Sequence, residues 1–173
     1  YVKNPGNVSY DEDDSIEIER FEKVINVNLK PIGLEQFTKL NKIGSGGFGK
    51  VYKVIEKETG KIYACKISRP LNTFKDIEIR NLQREIQIIS KLNHPIILKF
   101  FGFSPTNFKK DYRPAFITEL ITNGSLDVIL DIERKGLSKE NWNDTKKLIN
   151  IYGIAKGMSY LHSLNILHRD LKP

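Results

Sequence analysis

Cysteine occurs once, at Cys65, which excludes an internal disulfide framework and a multi-cysteine metal site. No apolar run approaches the ~18 residues that a membrane-spanning helix needs, so no membrane segment is expected in this chain. Twelve glycines and seven prolines are too few for a fibrous or low-complexity chain, and no segment repeats. What is present, 39% apolar and 28% charged residues, is ordinary for a soluble globular protein. A length of 173 residues allows one sizeable core or two small lobes. The chain begins at Tyr1 rather than methionine and reads as a fragment, so the lack of a leader peptide carries little weight.

The net charge of +7 is unevenly spread. Residues 1–36 hold eight acids against four bases, whereas 37–173 hold thirteen acids against twenty-four bases. A basic body suits nucleic acid, an anionic surface or a phosphorylated ligand. The lysines and arginines are scattered, with no block interleaved with aromatics, which reads as a solvated basic surface rather than a nucleic-acid groove. The acidic run Asp11–Asp14 lies in a polar stretch, residues 1–20, that reads as a flexible arm. It could dock on the basic body or remain a solvated tail.

Dense patterning begins near Glu35–Phe37. Phe37–Ile43 and Val51–Glu56 read as strands flanking a glycine-rich turn, and Lys57–Gly60 is a hairpin turn into a third strand, Lys61–Ile67. Residues 76–92 read as a helix whose apolar face carries Leu82, Ile86, Ile88, Ile89 and Leu92, stopped by His94-Pro95. Ile96–Phe103 and Ala115–Ile121 have strand length. Ser125 is placed to cap a helix running to Arg134 and ended by Gly136. A longer helix, Thr145–His162, has an apolar arc of Leu148, Ile151, Tyr152, Ile154, Ala155, Met158 and Leu161. His162 falls on the same arc and reads as a packed or hydrogen-bonded histidine.

Gly44-Ser45-Gly46-Gly47-Phe48-Gly49, followed by Val51, spells G-x-G-x-x-G-x-V. Backbone N–H groups must come close to phosphate oxygens, and a Cβ at the glycines would block that approach. Alone, the pattern equally describes a glycine-rich hairpin with no ligand. Strand alternation puts Ala64 and Lys66 on one face of the third strand and Cys65 on the other. A flat aromatic base fits between Val51 and Ala64, with Lys66 pointing toward phosphates; an exposed strand lysine is the other reading. Glu85 falls within the apolar arc of the following helix, where a carboxylate needs a partner, and Lys66 is the candidate. A Glu85 that merely edges the face is the alternative. Cys65 reads as packed and inert.

The glycine loop, Ala64-Cys65-Lys66 and Glu85, together with His168-Arg169-Asp170-Leu171-Lys172-Pro173 about 120 residues further on, resemble the eukaryotic protein kinase domain. The resemblance covers residues 37–173. It implies an α+β fold: a five-stranded antiparallel sheet with one main helix in an ATP-binding lobe and hinge (37–121), then the first helices of an incomplete helical lobe (122–173). Residues 1–36 would be an N-terminal extension. By resemblance, Ile43, Gly44, Ser45, Gly46, Gly47, Phe48 and Gly49 form the ATP-binding loop, with Phe48 at its tip. Val51 and Ala64 sandwich adenine, and Lys66 holds the α/β-phosphates in an ion pair with Glu85. Thr118 is the gatekeeper at the back of the pocket, and the backbones of Glu119 and Ile121 bond the adenine edge. Asp170 accepts the substrate hydroxyl's proton and Lys172 stabilises the transferred phosphoryl group. Ile89, Phe100 and His168 match positions of the family's internal hydrophobic column. Lys172-Pro173 is similar to the serine/threonine-directed loop. Gly157–His162 and Asn123-Gly124-Ser125-Leu126 resemble the tyrosine-kinase-like branch.

The resemblance further implies ATP and Mg²⁺ as cofactors, a protein substrate, a signalling role and an intracellular location. The family's metal-binding asparagine belongs five residues after Asp170, and the D-F-G aspartate lies later still, so the Mg²⁺ ligands are expected beyond residue 173. The 173-residue chain is therefore expected to bind nucleotide weakly and to be inactive by itself, with the apolar arc of its long helix exposed. A pseudokinase or scaffold module without transfer activity is the alternative. A basic nucleic-acid-binding domain is a third reading, marked by salt-sensitive binding.

Overall fold

The computed structural model describes residues 31–47, 49–70, 73–137 and 142–172. They form two bodies. The first runs to Lys91 and includes Phe100–Glu119; the second comprises Leu92–Lys99 and the chain from Leu120 onward.

The first body is a five-stranded antiparallel sheet in the order β1-β2-β3-β5-β4. Its strands are β1 (Phe37–Gly46), β2 (Gly49–Glu56), β3 (Ile62–Ser68), β4 (Phe100–Ser104) and β5 (Ala115–Glu119). One helix, α1 (Asp76–Ile89), crosses between β3 and β4. Strand alternation sends the apolar residues to two separate cores. On one face Leu82 and Ile86 of α1 pack with Phe103 and Phe116, flanked by Phe74, Ile79 and Phe100. On the other face Val54, Cys65, Ile67, Ala115 and Ile117 pack with Leu34 and Phe37.

Leu34 comes from a 3₁₀ turn, Leu34–Gln36, that precedes β1. Ile32 joins the same core, and its N–H donates to the Phe103 carbonyl at 2.7 Å. Residues just before Phe37 thus contribute to the packing. The acidic run Asp11–Asp14 and residues 1–30 as a whole lie outside the described residues.

Ile86 is fully buried and anchors α1 to the sheet. Ile86→Ala is expected to lower unfolding free energy by about 3–4 kcal/mol, through lost transfer energy and the cavity left behind. A urea titration of both chains measures it. Cys65 is fully buried, and burial pushes its thiol up to about 12, in keeping with an inert packed residue.

In the second body, α2 (Leu126–Arg134) and α3 (Asp144–Ser163) are tied end to start. The Glu133 carboxylate accepts from Trp142 Nε1 at 3.1 Å and pairs with Lys147. These partners, Lys147 first, hold Glu133 below the ordinary carboxylate range. Asn143 caps α3 by accepting from the Lys146 N–H at 3.1 Å. Ser125 occupies the N-cap position of α2 but makes no side-chain capping bond to the backbone.

Two expectations are corrected here. The strand expected over Ile96–Phe103 begins only at Phe100. The preceding residues turn onto α3: Asn93 N–H donates to Tyr160 Oη at 3.0 Å, and the His94 ring stacks on Tyr160 with centroids 4.6 Å apart. Ile96 and Ile97 pack against α3 at Gly157, where a Cβ would stand 3.5 Å and 3.6 Å from their side chains, ordinary packing distances. His162 is exposed, not packed. Of the apolar arc of α3, only Leu161 is buried, while Leu148, Ile151 and Tyr152 are 66%, 64% and 60% exposed. That exposure is the one expected of this chain on its own.

Candidate functional site

The glycine-rich segment is the hairpin between β1 and β2. Gly44 pairs with Val51, Ser45 with Lys50, and Gly46 with Gly49. Gly49 has φ of +143°, and a Cβ there would lie 2.1 Å from the Ile67 carbonyl oxygen. The fold itself therefore demands this glycine. Gly46 and Gly47 differ, because a Cβ at either would meet nothing within 4 Å. Packing among the described residues does not explain glycine at those two positions. Phe48 lies outside the described residues.

Val51 sits directly opposite Lys66, and Ala64 directly opposite Thr118. Directly opposed residues share a face, so Val51, Ala64, Lys66 and Thr118 line one side of the sheet. All four are half-buried. The Thr118 hydroxyl donates to the Glu119 carbonyl at 3.2 Å. Ile43, further along β1, is 45% exposed.

Glu85 is exposed on α1. The helix turns Leu82, Gln83 and Ile86 onto the sheet, and at 100° per residue this arc leaves Glu85 on its border. The buried polar residue of α1 is Gln83, so the expectation of a buried Glu85 carboxylate is corrected: it edges the face.

The carboxylate that ties α1 to the sheet is Glu78. It accepts from the Lys75 N–H at 2.8 Å and pairs with Arg69, which follows β3. The Arg69 guanidinium also lies 4.3 Å from the Phe74 ring centroid. The Lys75 backbone bond, then Arg69, hold the Glu78 carboxyl below its ordinary value. A depressed folded-state value means stability that is present above the unfolded pKa and lost as pH falls through the folded one. Glu78→Gln is therefore expected to lower the urea midpoint at neutral pH, and the difference should close below about pH 4. Paired urea titrations across that range check it.

In the second body, Asp170 and Lys172 meet: Lys172 Nζ lies 2.9 Å and 3.3 Å from the two Asp170 carboxylate oxygens. Both side chains are exposed, at 74% and 70%. Between His168 and Asp170, Arg169 adopts φ of +61°, a left-handed conformation that non-glycine residues hold only under local constraint. The Asp170 N–H donates to His168 Nδ1 at 3.4 Å, and His168 is exposed. Ile121 is 57% exposed and borders an open hollow of about 770 Å³ beside α2.

The model of the protein kinase domain matches residues 37–173. The chain belongs to the protein kinase family. This kinase domain is 33% identical over 145 residues to the Aurora kinase of Saccharomyces cerevisiae, covering 84% of this chain and 37% of that protein. It is 38% identical over 134 residues to the mouse serine/threonine-protein kinase TNNI3K, covering 75% of this chain and 14% of that protein. A third relative, the mouse dual specificity testis-specific protein kinase 2, is 34% identical over 151 residues, or 87% and 24% of the two chains. The kinase domain described here thus spans well under half of each of these relatives. Its sheet, helix and following helices are those of the protein kinase fold.

Among the described residues of this kinase domain, no group of three His, Cys, Asp or Glu is placed to hold a metal ion. No described helix is long and apolar enough to cross a membrane. Two features escaped sequence reasoning. The Arg69–Glu78 pair was hidden because Glu78 reads as an ordinary first-turn acid. The second is an open hollow of about 460 Å³ on the sheet face opposite Lys66, which Ser45, Gly46, Gly47 and Gly49 also line.

Proposed function

We propose that this chain is the ATP-binding half of a protein serine/threonine kinase. The observation that carries the reading is the shared, half-buried face of Val51, Ala64, Lys66 and Thr118, set beside a glycine hairpin whose Gly46 and Gly47 are not required by packing. Adenine lies between Val51 and Ala64, and its edge bonds the backbones of Glu119 and Ile121. The N–H groups from Gly44 to Gly49 and the Lys66 ammonium compensate the phosphate charge. Glu85, at the border of its face, orients Lys66 once nucleotide is bound. In transfer, a serine or threonine oxygen of a protein substrate attacks the γ-phosphorus and the bond to the bridging oxygen of ADP breaks. The hydroxyl proton passes to Asp170. Lys172, held against Asp170, offsets charge on the moving phosphoryl group.

Magnesium supplies further charge compensation when bound; among the described residues no group of three His, Cys, Asp or Glu is placed to hold it. In this reading the 173-residue chain binds nucleotide weakly, does not turn over by itself, and comes from an intracellular signalling protein. The exposed Glu85 favours the alternative, a pseudokinase or scaffold module. Calorimetric titration with ATP and a kinase assay with Mg²⁺ and a mixed serine/threonine protein substrate test the proposal. Binding without turnover is expected; a folded chain that binds no ATP overturns the nucleotide reading, and Mg-dependent turnover overturns the expectation that this chain does not transfer phosphate by itself. In the coding sequence, an asparagine at the second position after Pro173 followed by Asp-Phe-Gly supports transfer. Its absence supports the pseudokinase.

A further inference from the structure

The hollow on the outer face of the sheet is basic. Lys39, Lys50, Lys109 and Arg113 line it, and the single acid there is Asp111, whose carboxylate accepts from Asn107 Nδ2 at 3.0 Å. Arg69 also borders it, but its charge is met by Glu78. Tyr52 and Phe108 form an aromatic floor, and the Lys39 ammonium stands 4.8 Å and 5.9 Å from their ring centroids. The rim is preset by Asn107, whose buried Oδ1 accepts from the N–H groups of Lys109 at 2.7 Å and Asp111 at 3.2 Å. A hollow with aromatic floor and cationic rim fits an acidic segment carrying a few apolar side chains.

The chain contains such a segment outside the described residues. Residues 11–19 hold six acids, Asp11, Glu12, Asp13, Asp14, Glu17 and Glu19, and no base, and Ile16 and Ile18 lie among them. We propose that residues 11–19 dock in this basic hollow of the same chain. The tether is long enough: seventeen residues lie between Asp14 and Ile32, an extended reach of about 60 Å. Ile32 is itself held on the edge strand β4 of the same sheet. A tethered segment faces its site at an effective concentration of order millimolar, so a weak charged contact suffices. Because Ser45, Gly46 and Gly47 line the hollow, the docked segment touches the glycine hairpin from the side opposite Lys66. The inference does not depend on phosphoryl transfer.

Zero-length carbodiimide cross-linking of the full 173-residue chain, read by mass spectrometry, tests it. An equal mixture of light and heavy isotope-labelled chains separates intramolecular from intermolecular links. Intramolecular links from residues 11–19 to Lys39, Lys50 or Lys109 are expected, falling about tenfold when salt is raised to about 0.5 M. Arg113→Glu, which removes no cross-linkable group, should reduce them about fivefold with an unchanged urea midpoint. Converting Asp11, Asp13 and Asp14 to asparagine removes three reactive carboxylates, so its readout is the links from Glu17 and Glu19, which should fall similarly without any change in the core. Links spread equally over Lys135, Lys146 and Lys156 overturn the proposal, as does their absence. A predominance of mixed-isotope links overturns it in favour of a second copy's segment.

Discussion

Gly49→Ala is expected to cost this domain about 3 kcal/mol or more, a large share of the stability of a small domain. The added Cβ would lie 2.1 Å from the Ile67 carbonyl oxygen and 2.9 Å from Ser68 Cα. Both are backbone atoms of β3, so no side-chain rotation relieves the clash. The φ of +143° adds a conformational penalty of its own for any residue with a Cβ. Relief requires β2 and β3 to part where Gly49 pairs with Ser68, next to the Lys50–Ile67 and Val51–Lys66 pairs. The loss should therefore appear as a lower urea midpoint together with faster amide exchange at Lys50 and Val51. Gly46→Ala is the control: with nothing within 4 Å of its Cβ, it should hold stability within about 1 kcal/mol. If the two variants melted alike, the strand register assigned here would be wrong.

The glycine hairpin and Lys66 were legible in the sequence because strand periodicity is strict. Once β3 is placed, Ala64 and Lys66 must share a face, and Cys65 must lie opposite. Helix periodicity is more forgiving. At 100° per residue a side chain near the edge of an apolar arc reads as buried or exposed depending on where the arc is centred, and Glu85 stood at such an edge. The centre was set by tertiary contacts, chiefly Ile79 and Phe74 with the fully buried Ile86, which no local pattern reveals. The start of β4 was misread for a related reason. Ile96 and Ile97 are apolar and β-branched, but Tyr160, sixty-odd residues on, holds the adjoining Asn93 and His94, and Gly157 receives the two isoleucines. The family likeness gives Asp170 and Lys172 separate roles and does not predict their contact; the spacing alone leaves open whether two residues in a loop meet.

Lys66→Met is expected to weaken ATP binding by about tenfold to a hundredfold, the range for losing a charge-assisted contact to phosphate. Methionine keeps an unbranched stem of similar length on the half-buried face shared with Val51, so the melting temperature should stay within about 2 °C of the parent. Adenosine binding separates this effect from misfolding. It needs the face of Val51 and Ala64 but no phosphate contact, so it should change less than about twofold. Calorimetry with ATP, ADP and adenosine on both chains measures the three differences together. Unchanged ATP affinity in a folded variant would place the phosphates elsewhere, and the basic hollow on the opposite face is then the competing anion site. Lys39 and Lys50 line that hollow, and neither shares the face of Lys66. Charge reversal at Lys50 would then cost the ATP affinity that Lys66→Met spared.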